Sequence, residues 1–220
     1  MDYSKQDEKI LSYNDVVLRR SDLGILKGPH FINDRIIEFY FSFLSSSTVS
    51  EDILLVPPSI SFWIANCPDP ESLKDVIEPL KLQDKNLVLF TVNDNSDVNL
   101  AQGGTHWSLL VYSKNLNTFV HHDSCSGLNT EDAKKLYQAV RTSVASTARF
   151  EVAFTPQQKN SYDCGVYVMA IARAICAWHE SEMIDKGGDW FSTLTEINAS
   201  TVSCVRKEIL EQIQMLMTQK

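Results

Sequence analysis

The chain has 220 residues, of which 44% are hydrophobic and 22% are charged, and its formal net charge is -8. These values are typical of one folded domain with a full core, and they argue against a nucleic-acid surface, which needs clustered Lys and Arg. The five cysteines are an odd number without a CxxC pair, and no apolar run is long enough to cross a bilayer, so we expect neither a disulfide scaffold nor a membrane partner.

The first half of the chain is predicted to contain one clear helix and two buried strands. After a loosely packed lead-in of about 30 residues, Asn33 can cap a helix whose first turn carries Asp34. The stretches ILLVPP and NLVLFTV then predict short strands, with a short helix starting at Pro58 between them. The next stretch, NDNSDVNLAQGG, is polar and irregular, which indicates a loop long enough to be functional.

The second half begins with a predicted β-hairpin. The stretches HWSLLVY (106–112) and TFVHHD (118–123) are separated by a polar turn around Lys114 and Asn115. The later elements, in chain order, are a helix over about 130–144 capped by Asn129 or Thr130, a strand at FEVAF, a helix opening on Cys164 and an amphipathic helix over about 200–217. This order predicts a single α+β domain over residues 1–220, with an antiparallel-rich central sheet flanked by helices.

Cys164 opens its helix between an aspartate and a glycine. Backbone N–H groups at a helix start carry partial positive charge that stabilises a thiolate. Taken alone, such a cysteine is more often a small buried hydrophobe. Its neighbours in the fold decide between a nucleophile and a packing residue.

His106 and Asp123 are the predicted partners of that thiol. If the hairpin turns on two residues, these side chains are directly opposed, with Cβ atoms roughly 5 Å apart. A longer turn would shift the register by two and leave a diagonal that the two side chains can still span. His106 is then the candidate base and Asp123 the carboxylate that orients it.

The remaining histidines of this region suggest a zinc site as an alternative. However, the ligand spacing of a structural site is absent, and the consecutive strand residues His121 and His122 point to opposite faces. We therefore expect no metal and no other cofactor. Acyl transfer does need donors for its oxyanion, and the Cys164 N–H and the Gln158 amide are the candidates, with Gln157 as the rival of Gln158.

The segments GGTHWSLLVY, HHDS and QxNSYDCGVYV together resemble the ubiquitin-like-protein-specific cysteine proteases, the sentrin-specific protease family. The resemblance covers a catalytic core of about residues 30–180. It implies a papain-like cysteine protease fold of the ubiquitin-like-specific type, with His106, Asp123, Gln158 and Cys164 in the catalytic roles. The short chain and the stretch NDNSD…GGTHWSLLVY look most like the deneddylase branch, which acts on the Nedd/Rub modifier.

The resemblance also implies a narrow tunnel for a tail that ends in Gly-Gly. Trp107 matches one of the two tryptophans that roof this tunnel, whereas Phe31 stands in FIND where the second is usual. Strict strand alternation puts Trp107 opposite to His106, so its role requires an irregular strand start. Asp34, with Glu38 one turn later, either meets a basic patch on the modifier or lies on a solvated helix face.

The residues and the resemblance predict a thiol isopeptidase and endopeptidase that cleaves after the Gly-Gly of a Nedd/Rub-type protein. Its partners would be this modifier and conjugates such as cullins, and we expect a monomer in the cytoplasm or nucleus. The alternatives are a SUMO-specific protease of the same family, an acetyltransferase with a His, acid and Cys arrangement, and a non-catalytic binder. No basic phosphate site for acetyl-CoA is visible, and His106, Asp123 and Cys164 are all present, which disfavours the last two.

Overall fold

The structure, a computed structural model, describes residues 7–47, 50–100, 103–181 and 189–219. Residues 1–6 of the predicted lead-in and 101–102 of the predicted polar loop lie outside these ranges. The described strands are β1 (Lys9–Tyr13), β2 (Val16–Arg19), β3 (Ile53–Val56), β4 (Leu87–Asn93), β5 (Trp107–Ser113), β6 (Thr118–His122) and β7 (Arg149–Val152). The α-helices are α1 (Arg20–Lys27), α2 (Asp34–Ser47), α3 (Pro58–Asn66), α4 (Pro70–Ile77), α5 (Thr130–Val144), α6 (Cys164–Glu180) and α7 (Ala199–Thr218).

A mixed sheet lies at the centre of the described part of the chain, with the strand order β3-β4-β5-β6-β7. The inner pairs β4/β5 and β5/β6 are antiparallel. The outer pairs β3/β4 and β6/β7 are parallel. The predicted α+β class with a helix-flanked sheet is confirmed, and the parallel pairs at both edges are an addition that the sequence did not indicate.

The sheet is buried on both faces because its strands carry apolar side chains at successive positions. In β4, Leu87 and Leu89 pack into one core, and Val88 and Phe90 pack into the other. The first core is closed by α2, α6 and α7, and the second by α3, α4 and α5. Strand alternation with a period of two therefore supplies both cores from the same strand.

Helix α6 packs on β5 and buries most of its length. Because β5 directly follows His106 in the chain, this packing brings the start of α6 to the same end of the sheet. Among the described helices, none has the length and apolarity of a membrane span.

From residue 7 onward, the lead-in is not loosely packed, contrary to the prediction. Strands β1 and β2 form an antiparallel hairpin that turns on Asn14 and Asp15, both with positive φ (44° and 68°). Leu11 and Leu18 of this hairpin are buried in the first core. Asn and Asp tolerate this left-handed conformation better than most residues, so the Asn-Asp pair was a turn signal that the sequence analysis missed.

The β5/β6 hairpin has a longer turn than predicted. Ser113 pairs with Thr118, so the connection runs over four residues, 114–117. Asn117 takes φ 47°, and its N–H donates to the Lys114 carbonyl (3.1 Å). The predicted two-residue turn, and with it the direct opposition of His106 and Asp123, is therefore wrong, since the register is shifted by two.

Candidate active site

Cys164 is the first residue of α6 and is fully buried. The Asp163 carbonyl accepts the N–H groups of Val166 (2.8 Å) and Tyr167 (2.9 Å) and so starts the helix. A Cβ added at Gly165 would lie 2.7 Å from Cβ of Ile32, closer than real Cβ atoms approach. The Cys-Gly pair therefore lets the segment around Ile32 pack directly on the first turn of α6.

The imidazole of His106 and the carboxylate of Asp123 form a buried pair. Nε2 of His106 lies 2.7 Å from Oδ1 of Asp123. Both residues lie just outside the paired strands, His106 before β5 and Asp123 after β6. The longer turn makes them diagonal rather than directly opposed neighbours. The predicted contact between the two side chains is therefore present, although the predicted strand register is wrong.

The Asp123 carboxylate is held on both oxygens. Oδ1 also accepts the N–H of Cys125 (2.8 Å), and Oδ2 accepts the N–H of Asn129 (3.0 Å). Burial raises the pKa of Asp123, but these hydrogen bonds and the charge of His106 outweigh it, so the pKa is lowered overall. The residue is therefore a carboxylate at neutral pH.

The pKa of His106 moves in the opposite direction. Burial lowers it, but the hydrogen bonds that the ring donates to Asp123 and Cys164, and the negative charges of both, raise the pKa to about 10. A side chain with this pKa is an imidazolium at neutral pH. The ring therefore connects the Asp123 carboxylate to the Cys164 sulfur and carries the proton that a leaving group would need.

Three polar side chains fix the backbone of His106. The Asp94 carboxylate accepts the backbone N–H of His106 (3.0 Å). The backbone carbonyl of His106 accepts the side-chain amides of Asn93 (3.1 Å) and Asn129 (3.1 Å). The sequence predicted here only a polar loop long enough to be functional, with no role for Asn93 or Asp94. Asn129 stands at the start of α5, where we predicted a cap, but its side chain makes no cap bond.

Gln157 and Gln158 both lie in the loop that leads to α6, but their side chains have different hydrogen-bond partners. The Gln158 carbonyl oxygen accepts from Ser124 Oγ (2.8 Å), and its amide donates to the Asn160 carbonyl (2.7 Å). The Gln157 amide donates to the carbonyls of Asp123 (3.0 Å) and Thr155 (2.8 Å). Both protons of the Gln157 amide are used, whereas Gln158 keeps one for a ligand, which favours Gln158 as an oxyanion donor.

A cleft of about 600 Å³ contains every residue that we predicted for substrate binding. Phe31, half exposed, and Trp107 both line it. The Trp107 indole N–H donates to the Ile32 carbonyl (2.9 Å), which ties the ring to the Phe31 segment. Because β5 begins at Trp107, His106 lies outside the strand, and the two side chains need not obey strict alternation.

The cleft is also lined by a carboxylate and by two glycines. Asp34 is exposed on its rim and accepts the N–H of Arg35 (2.9 Å). Gly103 and Gly104 also line the cleft, and Gly104 has φ +80°, which favours glycine. Thr105 and Trp107, the neighbours of His106 in the chain, line the cleft, whereas His106 and Cys164 themselves are not among its lining residues.

The two further histidines of β6 have partners of their own. His121 Nε2 lies 2.9 Å from Ser108 Oγ, and His122 Nε2 accepts the indole N–H of Trp190 (3.0 Å). Burial lowers the pKa of His121 to about 4 and that of His122 to about 3. In the described ranges, no group of three His, Cys, Asp or Glu side chains is arranged to hold a metal.

Known proteins resemble this chain in sequence over most of its length. The family described as "Ulp1 protease family, C-terminal catalytic domain" matches residues 30–219. NEDD8-specific protease 1 of Arabidopsis thaliana is 54% identical over 222 residues, covering 100% of this chain and 98% of that protein. Sentrin-specific protease 8 of Homo sapiens is 38% identical over 177 residues, covering 77% of this chain and 82% of that protein.

Solved structures show the same fold. The C-terminal Ulp1 protease domain, solved in complex with Smt3, the yeast orthologue of SUMO, has a TM-score of 0.71. It is 16% identical, and the match covers 97% of this chain and 90% of that domain. The predicted family and fold are thus confirmed: the chain belongs to the Ulp1 protease family and is a cysteine peptidase.

Proposed function

We propose that this peptidase cleaves after the C-terminal Gly-Gly of a Nedd/Rub-type modifier, both from precursor extensions and from lysines of conjugated proteins. The observation that carries the proposal is the buried His106–Asp123 pair, 2.7 Å between ring nitrogen and carboxylate, with its imidazolium directed to the thiol at the start of α6. The 54% identity to a NEDD8-specific protease supports the choice of modifier.

The reaction follows from this arrangement. The Cys164 sulfur attacks the carbonyl carbon of the terminal glycine, and the Cys164 N–H and the Gln158 amide stabilise the resulting oxyanion. His106 gives its proton to the leaving amine, so the C–N bond breaks and a thioester remains. His106 then takes a proton from water, which hydrolyses the thioester and frees the modifier. Asp123 keeps the ring oriented throughout.

The cleft supplies the selectivity for a glycine tail. Trp107 and Phe31 line the cleft, which includes both chain neighbours of His106, and Cys164 has no exposed surface. Only a tail without side chains fits close to such a covered thiol. Phe31, smaller than the tryptophan usual in the family, leaves the passage wider at this point.

The pH dependence of hydrolysis tests the role of His106. Because its pKa is raised to about 10, we expect kcat/KM to be constant above neutral pH and to fall only as the pH passes about 10, where the imidazolium loses its proton. The raised pKa of His106 also stabilises the folded protein, and this contribution is fully present at pH values below the unfolded-state pKa of about 6.5. This stabilisation is lost as the pH rises through about 10. A basic limb near pH 7 would contradict the assignment.

A comparison of modifiers tests the substrate. We expect the C-terminal fluorogenic amide of a Nedd/Rub protein to be hydrolysed with a higher kcat/KM than the amides of SUMO and ubiquitin. Preference for SUMO would overturn the choice of modifier and leave the chemistry standing. Failure to cleave all three amides would overturn the proposal itself.

Several further features belong to the same proposal. We infer that Nedd/Rub conjugates such as cullins are the substrates and that the protein acts as a monomer in the cytoplasm or nucleus. The organisation as one catalytic domain over 1–220 stays a prediction. The choice of conjugates as substrates is tested by incubating the protein with a purified Nedd/Rub–cullin conjugate and detecting the released modifier on a gel.

A further inference from the structure

Arg206 is an arginine on the buried side of the C-terminal helix α7. The residues of that side are Val202, Val205, Ile209 and Ile213, all in the first core. The Arg206 side chain is only 11% exposed. A buried guanidinium needs partners for its donors, and its partners lie in two segments that border the active site.

The first segment is the approach to Phe31. Arg206 Nη1 donates to the carbonyls of Ile25 (3.0 Å) and Gly28 (3.2 Å), and Nη2 donates to the carbonyl of His30 (3.0 Å). The guanidinium thereby holds the chain immediately before the cleft wall.

The second segment is the loop before the nucleophile. Nε and Nη2 of Arg206 lie 3.1 and 2.8 Å from Oδ1 of Asp163, the residue before Cys164. Oδ2 of Asp163 accepts the side-chain amide of Asn160 (2.7 Å), and the Asn160 carbonyl accepts the amide of Gln158 (2.7 Å). Hydrogen bonds to the side chain and to the backbone carbonyl of Asn160 thus connect α7 with the candidate oxyanion donor.

Asn160 is the rigid part of this chain. Its side-chain oxygen accepts the backbone N–H groups of Tyr162 (3.1 Å) and Asp163 (3.0 Å), which closes the turn before α6. A shift of the Asp163 carboxylate would therefore disturb Asn160, whose carbonyl accepts one proton of the Gln158 amide. Because the two protons of a planar amide are fixed relative to each other, the bond to Asn160 also sets the direction of the second Gln158 proton.

We propose that Arg206 is a positioning residue of the oxyanion hole, acting on Gln158 through Asp163 and Asn160. The inference rests on the proposed function, in which Gln158 stabilises the oxyanion. It places an essential part of the active site on the C-terminal helix, outside the predicted catalytic core of about 30–180.

A double-mutant cycle between Arg206 and Gln158 tests this role. We expect Gln158→Ala to lower kcat for the Nedd/Rub amide by about 10²- to 10³-fold, the usual effect of losing one oxyanion donor. Arg206→Met should lower kcat by about 10-fold or more with Gln158 present, and by less than about 2-fold in the Gln158→Ala background, because both changes act through one donor. An equal loss in both backgrounds would overturn the inference.

Alkylation of Cys164 by iodoacetamide separates positioning from general damage. This reaction needs the thiolate but no oxyanion donor. Arg206→Met should therefore keep the rate at which Cys164 itself is alkylated while lowering kcat by about 10-fold or more, and a parallel fall of both would overturn the inference. Glu208→Gln is the matched control, since it breaks an ion pair of α7 with Arg173 (2.6 Å) on α6 and should change neither rate.

Asp163→Asn provides a second variant in case Arg206→Met does not fold. It keeps the volume but replaces one carboxylate oxygen by a donor, so either the Arg206 or the Asn160 bond is lost. We expect the same pattern, a fall in kcat only when Gln158 is present. Absence of hydrolysis by the unmodified protein would overturn the proposed function, whereas hydrolysis with an unchanged kcat in Asp163→Asn would overturn only the role of Arg206.

Discussion

Replacing Cys164 with serine is expected to lower the hydrolysis of a Nedd/Rub C-terminal amide by about 10⁴-fold or more, in line with the loss of a nucleophile in a hydrolase triad. A hydroxyl at this position is not ionised by an adjacent imidazolium, so the attack on the glycine carbonyl stops. The measurement is kcat at saturating modifier, with binding of the uncleaved modifier followed by calorimetry.

Cys176→Ser is the matched control for this substitution. Cys176 lies on the same helix and is also buried, and burial raises the pKa of its thiol to about 12, so it stays protonated and unreactive. We expect this variant to retain the kcat of the unmodified protein and to lose only stability. Undiminished hydrolysis by Cys164→Ser, or its loss in Cys176→Ser, would show that the nucleophile is wrongly assigned.

Replacing Asp123 with asparagine is the second large effect that we expect. An amide can donate to the imidazole and hold it in the wrong tautomer, and the corresponding change in a serine protease triad lowers kcat by about 10⁴-fold. The carboxylate charge is one cause of the raised His106 pKa. The basic limb of the pH profile should therefore move to lower pH in Asp123→Asn.

Glu131→Gln serves as the control for a lost carboxylate. Glu131 is 84% exposed and pairs only with Lys134 one turn along α5 in the described contacts, so kcat and the pH profile should not change. The Asp123 variant also loses an acceptor for one of the loop N–H groups of Cys125 and Asn129, so its melting temperature is measured in parallel. An unchanged basic limb in Asp123→Asn would contradict the orienting role.

The fold class and the family were predictable because both depend on short-range features of the sequence, namely hydrophobic periodicity, helix caps and short motifs. Periodicity predicted α2, α5 and the helix opening on Cys164, and the Asn33 cap of α2 is present, with its side chain accepting the N–H of Ile36 (3.0 Å). The parallel direction of β3 and β7 was not predictable, since a short apolar run has the same pattern in either direction.

The turn of the β5/β6 hairpin was predicted wrongly for a local reason. The polar segment between the strands permits two or four connecting residues, and Asn117 supplies the left-handed residue that the longer turn requires. The error did not remove the His106–Asp123 contact, because a shift of two residues keeps both side chains on one face. The catalytic and substrate-binding roles of the site residues stay predictions.

The supports of the site were less visible in the sequence than the site itself. Asn93, Asp94 and Asn129 act through backbone groups of His106, and no spacing rule connects them. Arg206 did leave a signal, a basic residue within the apolar stripe of α7, four positions after the buried Val202. Only the tertiary structure shows that this stripe meets the Asp163 loop.

The contact between Gly165 and Ile32 limits how the entrance can be redesigned. With 2.7 Å between Ile32 Cβ and the position of an added methyl at residue 165, any larger residue there would push the first turn of α6, which carries the sulfur, away from the Ile32 segment, which carries Phe31. A variant designed to admit bulkier tails should therefore carry its substitution at Phe31, where half of the side chain already faces solvent, and should keep Gly165.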